Sequence, residues 1–526
     1  MKRNRQGLEA GKWRQEVKTN KAVMLFIGCL AMIPTLLFAQ TAKKGKAAPI
    51  SAETSMCLDC HRSYTPGIVV DWSKSAHAKT RPALAMKKAR TEKRMSAKKT
   101  GGGTENVVGC YECHSLNTDR HKDNFDHMGF KINVVVSPDD CTSCHPVEAK
   151  EYSGSKKAHA VGNLTRNTVY HALVQTIIGK KEVKEGTVSP LASSAYTQQE
   201  TCFSCHGTDV RVEGLKEVET KMGNIEVPNL ANWPNQGVGR LNPDGSMGAC
   251  TACHPRHSFS IEIARKPYTC AQCHLEPDVP AWNVYHESKH GSIFFSKNQQ
   301  WDFNAVPWQV GRDFQAPTCA ACHNSLITDT AGAVIAERTH DFGSRLWARL
   351  FGLVYSHPQP INGDTSILKN REGLPLPTSF TGEIAPEGLI GRDEQARREK
   401  ETKGICNACH GTSWINGHFA KLDNTIREMD SMVMASTLLL LDAWKLNLAE
   451  GLPQGKNPFD ETIEQMWVRQ WLFYANSVKY ASAMTGAPDY AAFKNGWWNL
   501  TENLEHMREW IELRKKVGNA GTVKGK

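Results

Sequence analysis

A chain of 526 residues with a formal net charge of +10 is long enough for roughly three ordinary domains. Seven of its cations (Lys2, Arg3, Arg5, Lys12, Arg14, Lys18 and Lys21) stand in the first 21 residues against only Glu9 and Glu16, so the remainder carries about +5. That balance says little about nucleic acid, and nothing else in the chain points there.

In chain order, the basic start is followed by a run from Ala22 to Ala39 that is apolar apart from Thr35, and then by polar residues from Gln40. This is the layout of an export signal with its cut near Ala39 or Ala42. Pro34 inside the run argues against a retained spanning helix, and residues 1–39 are expected to be removed. The run Lys79–Lys99 holds nine cations against Glu92 alone and reads as a solvated loop rather than a docking patch.

From residue 57 onward one motif dominates. Cys-x-x-Cys-His occurs eight times and uses sixteen of the seventeen cysteines. The copies are Cys57, Cys60 and His61; Cys110, Cys113 and His114; Cys141, Cys144 and His145; Cys202, Cys205 and His206. They continue with Cys250, Cys253 and His254; Cys270, Cys273 and His274; Cys319, Cys322 and His323; Cys406, Cys409 and His410. Two thiols bond the haem vinyl groups and the adjacent imidazole ligates the iron, so each copy attaches one c-type haem. A lone Cys-x-x-Cys would equally suit zinc or a redox pair. His fills only 20 of the 526 positions, so its presence after all eight pairs is not chance.

Eight covalent haems are therefore expected, and export agrees with their attachment outside the bacterial cytoplasm. Residues 40–415 are expected to form a loop-rich body in which the macrocycles replace core side chains. The irregular motif spacing excludes a solenoid of equal repeats. The shortest spacing, Cys250 to Cys270, suggests two haems in close contact.

After His410 the pattern turns helical, and residues 416–526 are expected to be a tail of long helices packing on the body and on neighbouring subunits. One helix is predicted over 424–450, with Ile426, Met429, Val433, Leu440, Leu441 and Trp444 on its apolar side. A second is predicted from an Asn457 cap and Pro458 to about Thr485, ending at Gly486-Ala487-Pro488. A third covers 498–516. Trp467, Trp471, Phe473 and Tyr474 are expected in the core or an interface.

Twelve histidines remain outside the motifs. A haem that only carries electrons has both axial positions filled by protein, whereas one that does chemistry leaves a position to substrate. Twelve suffice to fill every distal site, so an electron wire stays open as a reading.

Between the motifs stand local phrases: Trp72 to His77-Ala78, Phe125-Asp126-His127, Pro255-Arg256-His257-Ser258, Ser288-Lys289-His290-Gly291, Ala316-Pro317-Thr318-Cys319 and Thr339-His340. With the motif order they resemble the octahaem hydroxylamine oxidoreductase family over nearly all the chain. The resemblance implies a mainly α-helical homotrimer. It implies distal ligands at His77, His127, His159, His257, His290 and His340, a seventh at His171 or His418, and an open catalytic haem 4 on His206.

In oxidative members a tail tyrosine is bonded to the catalytic haem. Anchoring on Gly496-Trp497 puts Phe493 at that position, with Tyr490 as the alternative three residues earlier. The family's Asp-His pair after the sixth motif is Asp278-Val279 here, which keeps a proton donor and loses the imidazole. Tyr355 corresponds to a distal tyrosine.

Both departures favour the reductive branch, as in paralogues of anaerobic ammonium oxidisers. The expected activity is reduction of nitrite, to nitric oxide or on to hydroxylamine and ammonium, with Asp278 and Tyr355 handling protons. Hydroxylamine or hydrazine oxidation and a purely electron-carrying cytochrome stay open as rivals. Expected partners are a small c-type cytochrome or a quinol-oxidising complex, and a small haem-protein subunit. The expected location is the periplasm or the anammoxosome lumen.

Overall fold

The computed structural model describes residues 48–100, 103–350, 352 and 359–523. The expected export signal and Tyr355 lie outside them. The described residues are mostly short helices joined by long connections up to residue 391, with long helices after it.

The attachment motifs explain many of the short helices. Cys110–His114, Cys202–His206 and Cys319–His323 are single helical turns. Residues three and four apart share one face of a helix, so a turn presents both thiols and the imidazole to the same side. The first motif closes a longer helix, Ala52–Tyr64, capped by the Ser51 hydroxyl, which accepts from Thr54 N–H at 3.2 Å.

Strands are local hairpins rather than a shared sheet. Asn124–His127 pairs with Phe130–Asn133, Lys180–Lys184 with Thr187–Leu191, and Arg211–Thr220 with Gly223–Ala231. The first two turns have positive φ at both central residues, Met128-Gly129 and Glu185-Gly186. Glycine at the second position relieves half of that strain.

The predicted helices after His410 are present with shifted ends. The first spans Thr412–Lys445, so the expected boundary at 415/416 falls inside it. Ile426, Met429, Val433, Leu440 and Trp444 are buried along one side, as the periodicity predicts.

The second begins at Thr462 rather than after Asn457. Asn457 Oδ1 accepts from Phe459 N–H at 3.1 Å and closes a turn instead. The helix start is held by Glu461 and Glu464, with Glu461 N–H donating to Glu464 Oε2 at 2.9 Å. It continues through one π turn, Gln470–Tyr474, into Ala475–Ala483. The third is Trp497–Val523.

Trp467 and Trp471 are buried in the largest apolar cluster. That cluster also takes Val169, Leu173, Leu376 and Phe380 from earlier in the chain. No helix among the described residues is long and apolar enough to cross a membrane.

Candidate haem sites

All sixteen motif cysteines are free of disulfides, and among the described residues no group of three or more His, Cys, Asp or Glu could hold a bare metal ion. The zinc reading of Cys-x-x-Cys therefore has no site here, whereas the requirements of covalent haem are met locally. Two motif imidazoles are oriented through Nδ1, as iron ligands usually are. His61 Nδ1 meets Thr65 Oγ1 and His114 Nδ1 meets Asn133 O, both at 2.8 Å, leaving each Nε2 free. Burial holds His206, His254 and His323 down at about 4, so they are neutral near pH 7, the form that binds a metal.

Five motif histidines each face one histidine from elsewhere. His61 faces His127, His77 faces His145, His114 faces His257, His254 faces His340 and His290 faces His410. The ring centroids are 6.3, 6.3, 6.5, 6.5 and 6.1 Å apart in that order. Two metal–nitrogen bonds of about 2 Å and the inner halves of two imidazoles span roughly 6 Å, so one iron fits between each pair.

The other expected ligands are placed differently. His159 Nε2 lies 3.1 Å from Ser153 O. His171 is exposed on the helix Thr168–Ile178. His418 stacks on Trp414 at 5.5 Å, and Trp414 stacks on His410 at 4.2 Å. Among the described residues, no imidazole pairing of this kind reaches His206, His274 or His323. Opposite His274 stands Lys157, with Nζ 2.8 Å from Nε2, a residue the sequence reading passed over.

Thiols of different motifs also meet. Cys57 touches Cys110, Cys141 touches Cys250, Cys205 touches Cys273, and Cys270 touches Cys319. The partner of Cys250 is thus a cysteine far earlier in the chain, and sequence spacing does not rank the neighbours. Cys253 is within electrostatic reach of Cys270, and Cys322 of Cys406. These contacts link the motifs in space, with the fourth joined through the sixth.

Asp278 lies within electrostatic reach of Cys202 and Cys205. Burial raises its carboxyl above the usual range. Its carbonyl accepts from Asn476 Nδ2 at 3.1 Å, which ties the loop to the helix Ala475–Ala483. The same helix brings the half-buried Tyr480 within electrostatic reach of Asp278. Nothing in the sequence pattern singled out Tyr480, because its chemistry depends only on where the helix docks.

Phe493 is exposed, beside Trp497 and Trp498 around an open surface depression. Tyr490 is buried at 3% exposure, and its hydroxyl donates to Glu276 Oε2 at 3.0 Å.

Comparison with known proteins follows this geometry. The family model for seven-fold multihaem Cys-x-x-Cys-His cytochromes matches residues 223–340, and that for cytochrome c554 and c-prime matches 56–131 and 140–226. A solved hypothetical multiheme protein is 43% identical over 90% of this chain and 98% of its own, with a TM-score of 0.85. A reducing HAO-like (hydroxylamine oxidoreductase-like) protein complex of Kuenenia stuttgartiensis shares the fold at a TM-score of 0.59. It is 19% identical, covering 90% of this chain and 87% of that one. A curated probable nitrite reductase-hydroxylamine oxidoreductase fusion protein of the same organism is 23% identical over 77% of this chain. The chain spans 39% of that relative's length.

Proposed function

We propose, on the premise that this chain belongs to the multihaem c-type cytochromes and has a hydroxylamine oxidoreductase-like fold, that it reduces nitrite at an open haem 4. The observation that carries the reading is the imidazole census. Five motif histidines have a facing imidazole at bis-ligand spacing; among the described residues His206, His274 and His323 have none, and of these three His206 is the one that the family resemblance makes the open site.

The eight Cys-x-x-Cys-His motifs hold eight haems, with the motif histidines as proximal ligands. His127, His257, His77, His340 and His290 serve as distal ligands of haems 1, 2, 3, 5 and 8. Bound haem c supplies one-electron transfer and, where an axial position is left to substrate, a binding point for a small nitrogen oxide.

The chain's own residues handle position and protons. His206 presents a neutral imidazole to the proximal side. Asp278, whose carboxyl burial raises above its usual range, gives a proton to the oxygen that leaves nitrite. The Asn476 bond fixes the Asp278 loop, and Tyr480 lies within electrostatic reach of its carboxyl. Reduction to nitric oxide takes one electron and two protons and releases one water. Full reduction of nitrite to ammonium takes six electrons and eight protons and releases two waters. With Cys205 beside Cys273, a haem held by the sixth motif would adjoin the one held by the fourth and could supply it with electrons.

Absence of a tyrosine–haem bond is supported by Phe493, which has no phenol oxygen, and by Tyr490, whose hydroxyl is engaged by Glu276 within the same chain. The exposed Phe493 and Trp498 suit contact between subunits of a trimer. Electrons come from a small c-type cytochrome or a quinol-oxidising complex, and a small haem-protein subunit accompanies the trimer. The enzyme works in the periplasm or the anammoxosome lumen after loss of residues 1–39.

The fusion relative's printed name also carries hydroxylamine oxidation, so the decisive measurement compares both directions. The haem-loaded protein with reduced viologen is expected to consume nitrite and to lack the red-shifted band of a cross-linked haem. Hydroxylamine-driven reduction of cytochrome c together with a tyrosyl-haem peptide would reverse the direction. No turnover and no carbon monoxide binding would leave only an electron carrier.

A further inference from the structure

Three segments of this chain share one local design. The pattern is aromatic-x-x-Ser-x-ligand-small. In Trp72–Ala78, Ser75 N–H donates to Trp72 O at 2.9 Å, and His77, two residues on, faces His145. In Tyr285–Gly291, Ser288 N–H donates to Tyr285 O at 3.0 Å, and His290 faces His410. In Tyr152–Ala158, Ser155 N–H donates to Tyr152 O at 2.9 Å, and the residue two further on is Lys157. The hydroxyls of Ser155 and Ser288 add the same second bond, to Tyr152 O at 2.7 Å and Tyr285 O at 2.8 Å. All three serines are buried.

The buried Ser closes the turn and aims the side chain two positions later across the gap to a motif histidine. Lys157 obeys that rule, since its Nζ lies 2.8 Å from His274 Nε2. We propose that Lys157 is the distal iron ligand of haem 6, giving that haem a His/Lys pair in place of two imidazoles. The proposal rests on the motif histidines being proximal ligands, and it is independent of nitrite as substrate.

Three further points support it. Axial coordination needs the two nitrogens about 4 Å apart, an adjustment of roughly an ångström that a four-carbon stem makes by rotamer change. His159, which the family resemblance nominates, has its Nε2 against Ser153 O, and it precedes the helix Ala160–Thr165, which limits its swing. Lys157 is the cation nearest this imidazole, and its approach to the Phe342 ring (5.7 Å from the centroid) keeps the stem on that side.

On coordination the ammonium releases one proton to solvent and its lone pair fills the axial position, with no change in oxidation state. The consequence falls beside the proposed reaction site, because Cys273 of haem 6 touches Cys205 of haem 4. An amine donates without the π system of an imidazole, so the haem adjoining haem 4 is set apart from the bis-imidazole haems by ligand identity.

The test uses the haem-loaded protein and three variants, read by near-infrared magnetic circular dichroism of the ferric state and by carbon monoxide stoichiometry of the ferrous state. The wild type is expected to show one low-spin haem with an amine-type charge-transfer band beside the bis-imidazole band. Lys157→His should abolish the amine-type band and keep the same number of low-spin haems. Lys157→Ala should turn one low-spin haem high-spin and raise carbon monoxide binding by one per chain. His159→Ala should change neither.

Absence of the amine-type band from the wild type, or its survival in Lys157→Ala, overturns the assignment. So does an extra site that opens in His159→Ala but not in Lys157→Ala. A wild type that binds no carbon monoxide refutes the open haem 4, while the difference between variants still decides Lys157. Should Lys157→Ala fail to assemble, the wild-type and Lys157→His spectra settle the question.

Discussion

A buried carboxyl whose pKa is raised above the ordinary range keeps its proton to higher pH, and a reaction that expels oxygen from nitrite needs that proton. Asp278 owes that property to burial, and the neighbouring position carries Val279, which cannot substitute for it. Asp278→Asn is therefore expected to lower nitrite turnover by about 10²–10⁴-fold while leaving carbon monoxide binding intact. Because the useful form is the protonated one, the wild-type rate should fall as pH rises through the raised carboxyl pKa, and the variant should lose that limb. Equal turnover in the two proteins would remove Asp278 from the mechanism. At this scale the sequence was a good guide to residue type and a poor guide to partner. The motif histidines stand out by themselves, but Lys157 and Tyr480 become visible only when folding sets them against His274 and Asp278.

Among the elements, the helix opening at Thr462 contains an ionisable group with a measurable consequence. Glu464 is fully buried and accepts from Trp444 Nε1 at 2.9 Å and from Glu461 N–H. Burial, opposed by those hydrogen bonds, raises its carboxyl from 4.5 to about 7. The folded state therefore holds more protons than the unfolded one between those values, so stability falls as pH rises from 4.5 to 7. Melting of the wild type is expected to lose on the order of 2 kcal/mol over that window from this group, and Glu464→Gln should flatten the slope even if its absolute stability drops. An unchanged slope would mean that Glu464 stays ionised. The boundaries of these helices were less legible than their apolar faces. Periodicity follows from burial on one side, whereas the start at Thr462 depends on whether Asn457 caps a helix or closes a turn.

For the molecule as a whole, the distribution of apolar packing is uneven. Among the described residues the four apolar clusters draw on positions from Val169 onward, and none includes the first three attachment motifs. In that stretch the haems themselves are expected to supply the core. Haem-free chain, made without the attachment machinery, should thus lose residues 48–168 to limited proteolysis first, while the region around Trp444, Trp467 and Trp471 is cut last. Uniform resistance would show that protein packing alone suffices. The isolated segment 416–526 should not fold as the intact chain does, because Val169, Leu173, Leu376 and Phe380 complete its main cluster.

The sequence by itself pointed to covalent haem c and to the motif cysteines and histidines proposed to hold it, since thioether and imidazole chemistry is contained in five consecutive residues. Tertiary structure alone decided which histidine faces which, that His274 meets a lysine, and that the fourth motif adjoins the sixth rather than the fifth. The physical reason is range. Covalent attachment is local in the chain, whereas a distal ligand is chosen by proximity across a fold whose contacts join residues far apart in sequence.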